Sequence, residues 1–215
     1  VGPEGLDFRT PDGTALLTVE AGKSASPTGA KLRSEQAVRF TEDGSDRFRL
    51  LMTGTDFPAL GTGDFTMIFP VSARPGELTT TGEQLLQMAT NDLLINYDAV
   101  DAQWEITGNY LSNSYTLPGV FPQDGQPHVV IIRADRDGDL TLYVDDQLVG
   151  STDFSGESAN SLTHSVGNVH FFSDSGGVFH WNGRVNGEVI VTTGLVTDTE
   201  IESIVADPRE LEHLD

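Results

Sequence analysis

Apolar and polar residues alternate with a period of two over much of the chain, and this pattern predicts strands. In Phe65-Thr66-Met67-Ile68-Phe69-Pro70-Val71, the residues Phe65, Met67, Phe69 and Val71 share one face. Pro70 has no amide proton for a ladder, so this strand is expected at a sheet edge or with a bulge at that point. Arg47-Phe48-Arg49-Leu50 alternates charge with apolar bulk, which leaves one face wet. Leu93–Tyr97 and Trp104–Thr107 read as consecutive strands joined by the acidic turn 98–101. His128–Arg133 is a nearly continuous apolar run, as a central strand covered on both faces would be. It leads into a turn, Asp135–Asp139, in which Gly138 is free to take positive φ. The chain then returns through Leu140–Asp145 with Leu140, Leu142 and Val144 inward. A second turn at Asp145-Asp146 and the segment Gln147-Leu148-Val149 complete a three-strand meander.

Later strands are predicted at 169–172, 178–181 and 187–191, and weaker ones at 15–19 and 37–40, with a loop over 22–29. One helix is predicted. Thr197-Asp198-Thr199-Glu200 has the form of a capping box, Ile201, Ile204 and Val205 supply an apolar stripe, and Asp207-Pro208 ends it. The sum is an all-β chain, a two-sheet antiparallel sandwich with one short C-terminal helix. Residues 61–215 form the sandwich, the part that resembles a jelly roll. Residues 1–60 supply N-terminal strands that extend it, or an arm used for attachment.

The chain has 215 residues and no cysteine. That length buries a core without disulfides, and thiolate metal sites are excluded. A formal net charge of -21 repels nucleic acid and anionic membranes, and no run is long enough to insert in a membrane. The charge is uneven. Seven of the twelve basic residues fall among the first 50, beside eight acidic ones. That near-neutral segment, with Arg33, Arg39, Arg47 and Arg49, could dock on an acidic neighbour such as a capsid or tail protein. Pairing of these arginines within the fold is the preferred reading. The start Val1-Gly2-Pro3 lacks Met and a signal pattern, which suggests a processed or trimmed chain.

The order of elements resembles the laminin-G-like jelly rolls of the concanavalin A-like lectin and glucanase superfamily. The residues that carry the likeness are Gly63-Asp64-Phe65-Thr66-Met67, Gly125-Gln126-Pro127-His128-Val129-Val130, Asp137-Gly138-Asp139-Leu140-Thr141-Leu142-Tyr143-Val144-Asp145, Phe179 through Val189, and Leu195 through Ile201. The resemblance implies a non-catalytic recognition or adhesion module that binds carbohydrate or protein at a cell or particle surface. It also admits a phage virion protein, either a head-decoration or a tail-associated subunit, and a polysaccharide-degrading enzyme. An extracellular, cell-surface or virion-surface location follows from any of the three.

The candidate residues are read in that light. Retaining glycosidases of this superfamily resemble one another in a Glu-x-Asp-x-x-Glu strand, which this chain lacks. An enzyme would have to draw on Glu105, Glu188, His128 and Tyr143, and neither His128 nor Tyr143 has an obvious partner in the sequence, so no catalytic residue is assigned. Trp104, Tyr110, Tyr115 and Trp181 could stack on sugar rings, and Asn109 and Asn113 could bond hydroxyls. The competing reading puts both tryptophans in the core, since Trp104 alternates with Ile106 and Trp181 with Phe179. That reading is preferred for the tryptophans, while the tyrosines are evenly balanced. No cofactor is required. Asp135, Asp137 and Asp139 resemble half of a calcium loop, so a surface Ca²⁺ is left open, although an Asp-rich turn explains them more simply. The five histidines lack metal-ligand spacing.

Overall fold

The computed structural model describes residues 57, 59–88, 92–162, 168–174, 179–186 and 189–206, with the backbone of three short strands nearer the N-terminus. The described strands are β1 (Thr18–Val19), β2 (Val38–Arg39), β3 (Leu50–Thr53), β4 (Phe65–Ser72), β5 (Glu83–Met88), β6 (Leu94–Asp98), β7 (Gln103–Thr107), β8 (Tyr115–Pro118), β9 (His128–Ala134), β10 (Asp139–Val144), β11 (Gln147–Asp153), β12 (Asn168–Phe171), β13 (Arg184–Val185) and β14 (Ile190–Thr193). A 3₁₀ turn at Ser155–Glu157 and the helix α1 (Asp198–Ala206) complete the set. Two antiparallel sheets form a jelly-roll sandwich, as expected. One runs β1-β3-β12-β5-β6-β7-β8; the other runs β11-β10-β9-β4-β13-β2, with β14 also paired to β4.

The side-chain period of two divides the core. Phe65, Met67, Phe69 and Val71 of β4, Val130, Ile132 and Ala134 of β9, and Leu140, Leu142 and Val144 of β10 point into the sandwich. There they meet Leu85, Ile95, Tyr97, Trp104, Ile106 and Leu117 from the facing sheet. The intervening residues Ile68, Val129, Ile131 and Tyr143 point outward and are covered by Val196, Ile201 and Ile204 of the helical segment. This second layer explains why β9 reads as an unbroken apolar run. The helix starts where the capping box places it: the Thr197 amide donates to Glu200 Oε2 at 2.5 Å, and the Glu200 amide donates to Thr197 Oγ1 at 3.2 Å. The predicted stop at Asp207-Pro208, the strand at Arg47–Arg49 and the loop over 22–29 lie outside the described residues.

Two expectations are corrected. Pro70 is in a central strand, not at an edge: β4 lies between β9 on one side and β13 and β14 on the other. The Asn186 amide donates to the Pro70 carbonyl at 2.8 Å, so the proline nitrogen faces the same way. It sits at the gap between β14, whose register ends at Ile68, and β13, whose register begins at Val71. No ladder bond is lost there. Gly138, in turn, does not take positive φ. It is needed for room, because a Cβ there would lie 2.7 Å from Asp135 Oδ2.

The hairpin from β6 to β7 and the meander from β9 to β11 form as predicted. One long side of the sandwich closes where β11 meets β8. Gly150 permits this, since a Cβ there would stand 3.0 Å from Leu117 Cβ. The open ends carry the loops. Ala134 pairs with Phe65 at one end and His128 with Val71 at the other, and Arg136 after β9 and Ser112 before β8 both bond Glu157, so those two turns share an end and the loop before β9 lies at the opposite one.

Candidate binding site

The predicted ligand residues Asn109, Tyr110 and Asn113 lie on the loop 108–114, at the end of the sandwich where β7 passes into β8. Gly108 starts it and can be nothing larger, because a Cβ would lie 2.2 Å from the Asp92 carbonyl oxygen. The Leu111 amide closes a tight turn on the Gly108 carbonyl at 3.2 Å, and the Leu111 side chain is buried in the sandwich core. Across the base, the hydroxyls of Thr107 and Ser114 lie 2.9 Å apart.

A buried carboxylate fastens this loop from beneath. Glu157, wholly enclosed, accepts from the amides of Ser112 at 2.9 Å and Asn113 at 3.2 Å, from Tyr115 Oη at 2.5 Å and from Asn160 Nδ2 at 2.6 Å. Asn160 Nδ2 also donates to Ser112 Oγ at 2.8 Å. Burial alone would raise the Glu157 carboxyl, but the bonds donated by Tyr115, Ser112, Asn160 and Asn113 outweigh it and hold it below the ordinary range. Burial and the same hydrogen bond push the Tyr115 phenol up to about 12, so it stays a donor.

Arg136 lies under the carboxylate and is 2% exposed. Its Nη2 donates to the Glu157 carbonyl at 2.6 Å and to the Asn160 carbonyl, which turns the chain at residues 157–160 around the guanidinium. Its amide donates to Asp64 Oδ1 at 2.8 Å, and its charge lies over the Phe154 ring, 5.6 Å from the centroid. Burial lowers the pKa of Arg136, and the negative charge of Glu157 and Asp64 partly offsets this.

The structure separates the predicted residues into two groups. Asn109, Tyr110 and Asn113 are exposed on the loop, and Tyr110 presents 42% of its surface. Tyr115 is buried and serves the loop through Glu157, with its ring edge-on to Phe154 at 4.8 Å. Trp104 and Trp181 have no exposed surface and meet the Phe121 ring at 6.2 and 5.1 Å, so neither can stack on a ligand. Among the described residues both indole N–H groups are buried without an acceptor, a cost that the aromatic packing has to outweigh. Asp135, Asp137 and Asp139 do not converge as a calcium loop would. Asp135 Oδ1 accepts the Asp137 amide at 3.1 Å and Asp139 Oδ2 accepts Ser151 Oγ at 2.9 Å. Among the described residues, no three His, Asp or Glu side chains come together to hold a metal ion.

The sequence reading missed Glu157, Arg136 and Asn160. It also gave His128 no partner, whereas the structure gives it two. His128 Nδ1 lies 2.8 Å from Asp145 Oδ2 and Nε2 lies 3.0 Å from Asp124 Oδ1, at the opposite end of the sandwich. Tyr143 is packed in the outer layer with the Arg133 guanidinium 5.3 Å from its ring centre, not in a cleft. Glu105 is half-buried beside Asp98 and Asp101, and its carboxyl is raised first by burial and then by those charges. Glu188 lies outside the described residues.

No protein-family model matches the chain, and no curated protein matches it. Its fold does occur in solved structures. The binding domain of botulinum neurotoxin DC, solved with rat synaptotagmin II, superposes with a TM-score of 0.61 at 10% identity, over 94% of this chain and 50% of that one. Domain 4 of AbnA, a GH43 extracellular arabinanase from Geobacillus stearothermophilus solved with arabinotriose, gives 0.60 at 12% identity, over 93% of both chains. The binding domain of Paraclostridial Mosquitocidal Protein 1 gives 0.53 at 13% identity, over 88% of this chain and 50% of that one. The chain thus spans about half the length of the toxin domains and nearly all of the arabinanase domain. At these identities the likeness is one of fold, a two-sheet antiparallel sandwich. No helix among the described residues is long and apolar enough to cross a membrane.

Proposed function

We propose that this protein is a non-catalytic recognition module that binds a carbohydrate through the 108–114 loop, outside the cell. The observation that carries the reading is Tyr110. It is a large aromatic side chain, 42% exposed, on a loop that is fastened from beneath and does not need to be ordered by a ligand. Exposed Asn109, Ser112, Asn113 and Ser114 surround it with amide and hydroxyl groups. An aromatic face packs on the C–H face of a sugar, and such polar neighbours bond its hydroxyls. A loop ordered in advance lowers the entropic cost of binding. Glu157, the carboxylate beneath the loop, is enclosed and bonded to four donors, which suits support rather than acid–base chemistry. The shared fold with a domain solved with arabinotriose agrees with a glycan as ligand.

The test is retention on a panel of immobilised polysaccharides, arabinan included, by the intact chain and by Tyr110→Ala. Wild type should be retained by at least one glycan, and Tyr110→Ala should weaken that binding by about tenfold or more. Its melting temperature should not change. Retention by no glycan, or equal retention of the variant, would reject the assignment. Binding of a protein ligand that Tyr110→Ala abolishes would keep the loop and replace the ligand.

A further inference from the structure

The end of the sandwich away from Tyr110 holds a histidine between two carboxylates from different segments. His128 opens β9 and its side chain is 12% exposed. Asp145 reaches it from the β10–β11 turn at 2.8 Å, and Asp124 from the 119–127 loop at 3.0 Å. The ring stands edge-on to Phe121, 5.6 Å away. An imidazole donates from both nitrogens only when it carries both protons. In the neutral ring, one carboxylate faces a lone pair instead of a donor.

The two carboxylates are not equally held. Asp145 is fixed: its φ is 57°, its amide donates to the Val129 carbonyl at 2.7 Å and its Oδ1 accepts the Val129 amide at 2.9 Å. Asp124 has a side chain 54% exposed and also accepts the Gln126 amide two residues on, at 2.8 Å. Asp124 is therefore the partner that can leave. Other charges nearby do not replace the proton. Asp146 stands next to Asp145 and accepts from Gln147. Beyond β4, Arg74 lies beside Gly125, where a Cβ would be 3.4 Å from its Cγ. Glu77 accepts the Arg74 amide at 2.7 Å and lies 3.5 Å from Arg184. β4 itself offers His128 only the apolar Val71 in register.

We propose that His128 is a proton-operated clasp that ties Asp124 of the 119–127 loop to Asp145 of the β10–β11 turn, and that loss of one ring proton releases the loop at Asp124. Burial would make the ring harder to protonate, but the two carboxylates outweigh it and raise its pKa. The clasp is closed below the histidine's ordinary range and opens as pH rises through the raised value. Release is local, because the Phe121 amide stays bonded to Tyr97 Oη at 3.1 Å and the Gly125 amide to the Ala73 carbonyl at 2.8 Å.

An NMR titration of the full chain tests this, with Asp124→Asn and His128→Gln as variants. The His128 ring should titrate above about 6.5, the ordinary value, and Asp124→Asn should lower the midpoint by about one unit. Exchange protection of the Gln126 amide, relative to Val130 in the strand, should drop several-fold across the wild-type midpoint and show no step in His128→Gln. A midpoint at or below the ordinary value, a midpoint indifferent to Asp124→Asn, or a step that survives in His128→Gln would each overturn the clasp. Asp124 is on the surface, so its variant should fold as the wild type does.

Discussion

The two ends of the sandwich are built from the same strands, yet they hold their charges in opposite ways. At the Tyr110 end the ionisable groups that hold the loop are enclosed and keep their state near neutral pH. Glu157 is held ionised, Tyr115 is pushed up to about 12, and a guanidinium keeps its proton. At the other end, His128 lies between carboxylates that reach water, and they raise its pKa although burial opposes them. Buried charge that cannot titrate makes a rigid support. Half-exposed charge that can titrate makes a joint. One fold thus offers a fixed loop, where we propose recognition, and away from it a loop that we propose to respond to pH.

The strongest challenge to this contrast is a pair of truncations. Glu157→Ala strands Tyr115 Oη and two amides, takes one of the two acceptors of Asn160 Nδ2, and removes the carboxylate charge that Arg136 feels. It should lower unfolding stability by about 3 kcal/mol or more. His128→Ala should cost roughly 1 kcal/mol or less, because water takes over its carboxylate partners. Urea melts of the two variants decide it, and equal losses would mean that the ends are not different in kind.

A smaller effect separates two glycines. Gly108→Ala forces a Cβ to 2.2 Å from a backbone oxygen and should cost about 1–3 kcal/mol, with ligand binding lost alongside. Gly125→Ala meets no such obstacle but must hold φ at +80°, so about 1 kcal/mol is expected from the backbone alone. Melting curves together with glycan retention show whether strain at one end reaches the loop at the other; only Gly108→Ala should affect binding.

The smallest effect is in the pH profile, where the signs oppose. Glu157 has a lowered pKa, so its contribution is present above the unfolded value of 4.5 and is lost as pH falls through the folded value. Glu83 counters it. Burial raises its carboxyl although Asn182, Thr80 and Thr79 donate to it, so protonation of Glu83 favours the fold as pH drops. His128 has a raised pKa, and its contribution is present below 6.5 and lost as pH rises through the folded value. Melting temperature should therefore fall on both sides of a plateau. His128→Gln should flatten the alkaline side and leave the acid side as it is. An alkaline limb that persists in that variant would place its origin elsewhere.

Much of the fold is legible in the sequence because its signals are local. The hairpin from β6 to β7, the meander from β9 to β11 and the capping box at Thr197 each depend on residues a few positions apart. Sheet order is different. Pro70 suggests an edge when read alone, and only the split between β13 and β14, more than a hundred residues later, makes a central position harmless. The site shows the same limit. Tyr110, Asn109 and Asn113 are legible as loop residues, whereas Glu157 lies 45 residues from Ser112 and nothing around it in the chain sets it apart. Arg136 reads as one more charge in an acidic turn. His128 is four residues from Asp124 and 17 from Asp145, and neither spacing says that two loops meet at one ring.

The seam opposite Pro70 has a further consequence for how such a domain can grow. A continuous neighbour along β4 would have to be kept intact through evolution, since any interruption would leave a donor of a central strand unsatisfied. Here the donor is missing from the start, and the neighbouring chain can depart after β13 and return at β14 at no expense to the ladder. That makes the junction between the two strands a natural port for inserted sequence, through which a lineage could add a loop or a whole module to the sandwich while leaving its sheets untouched.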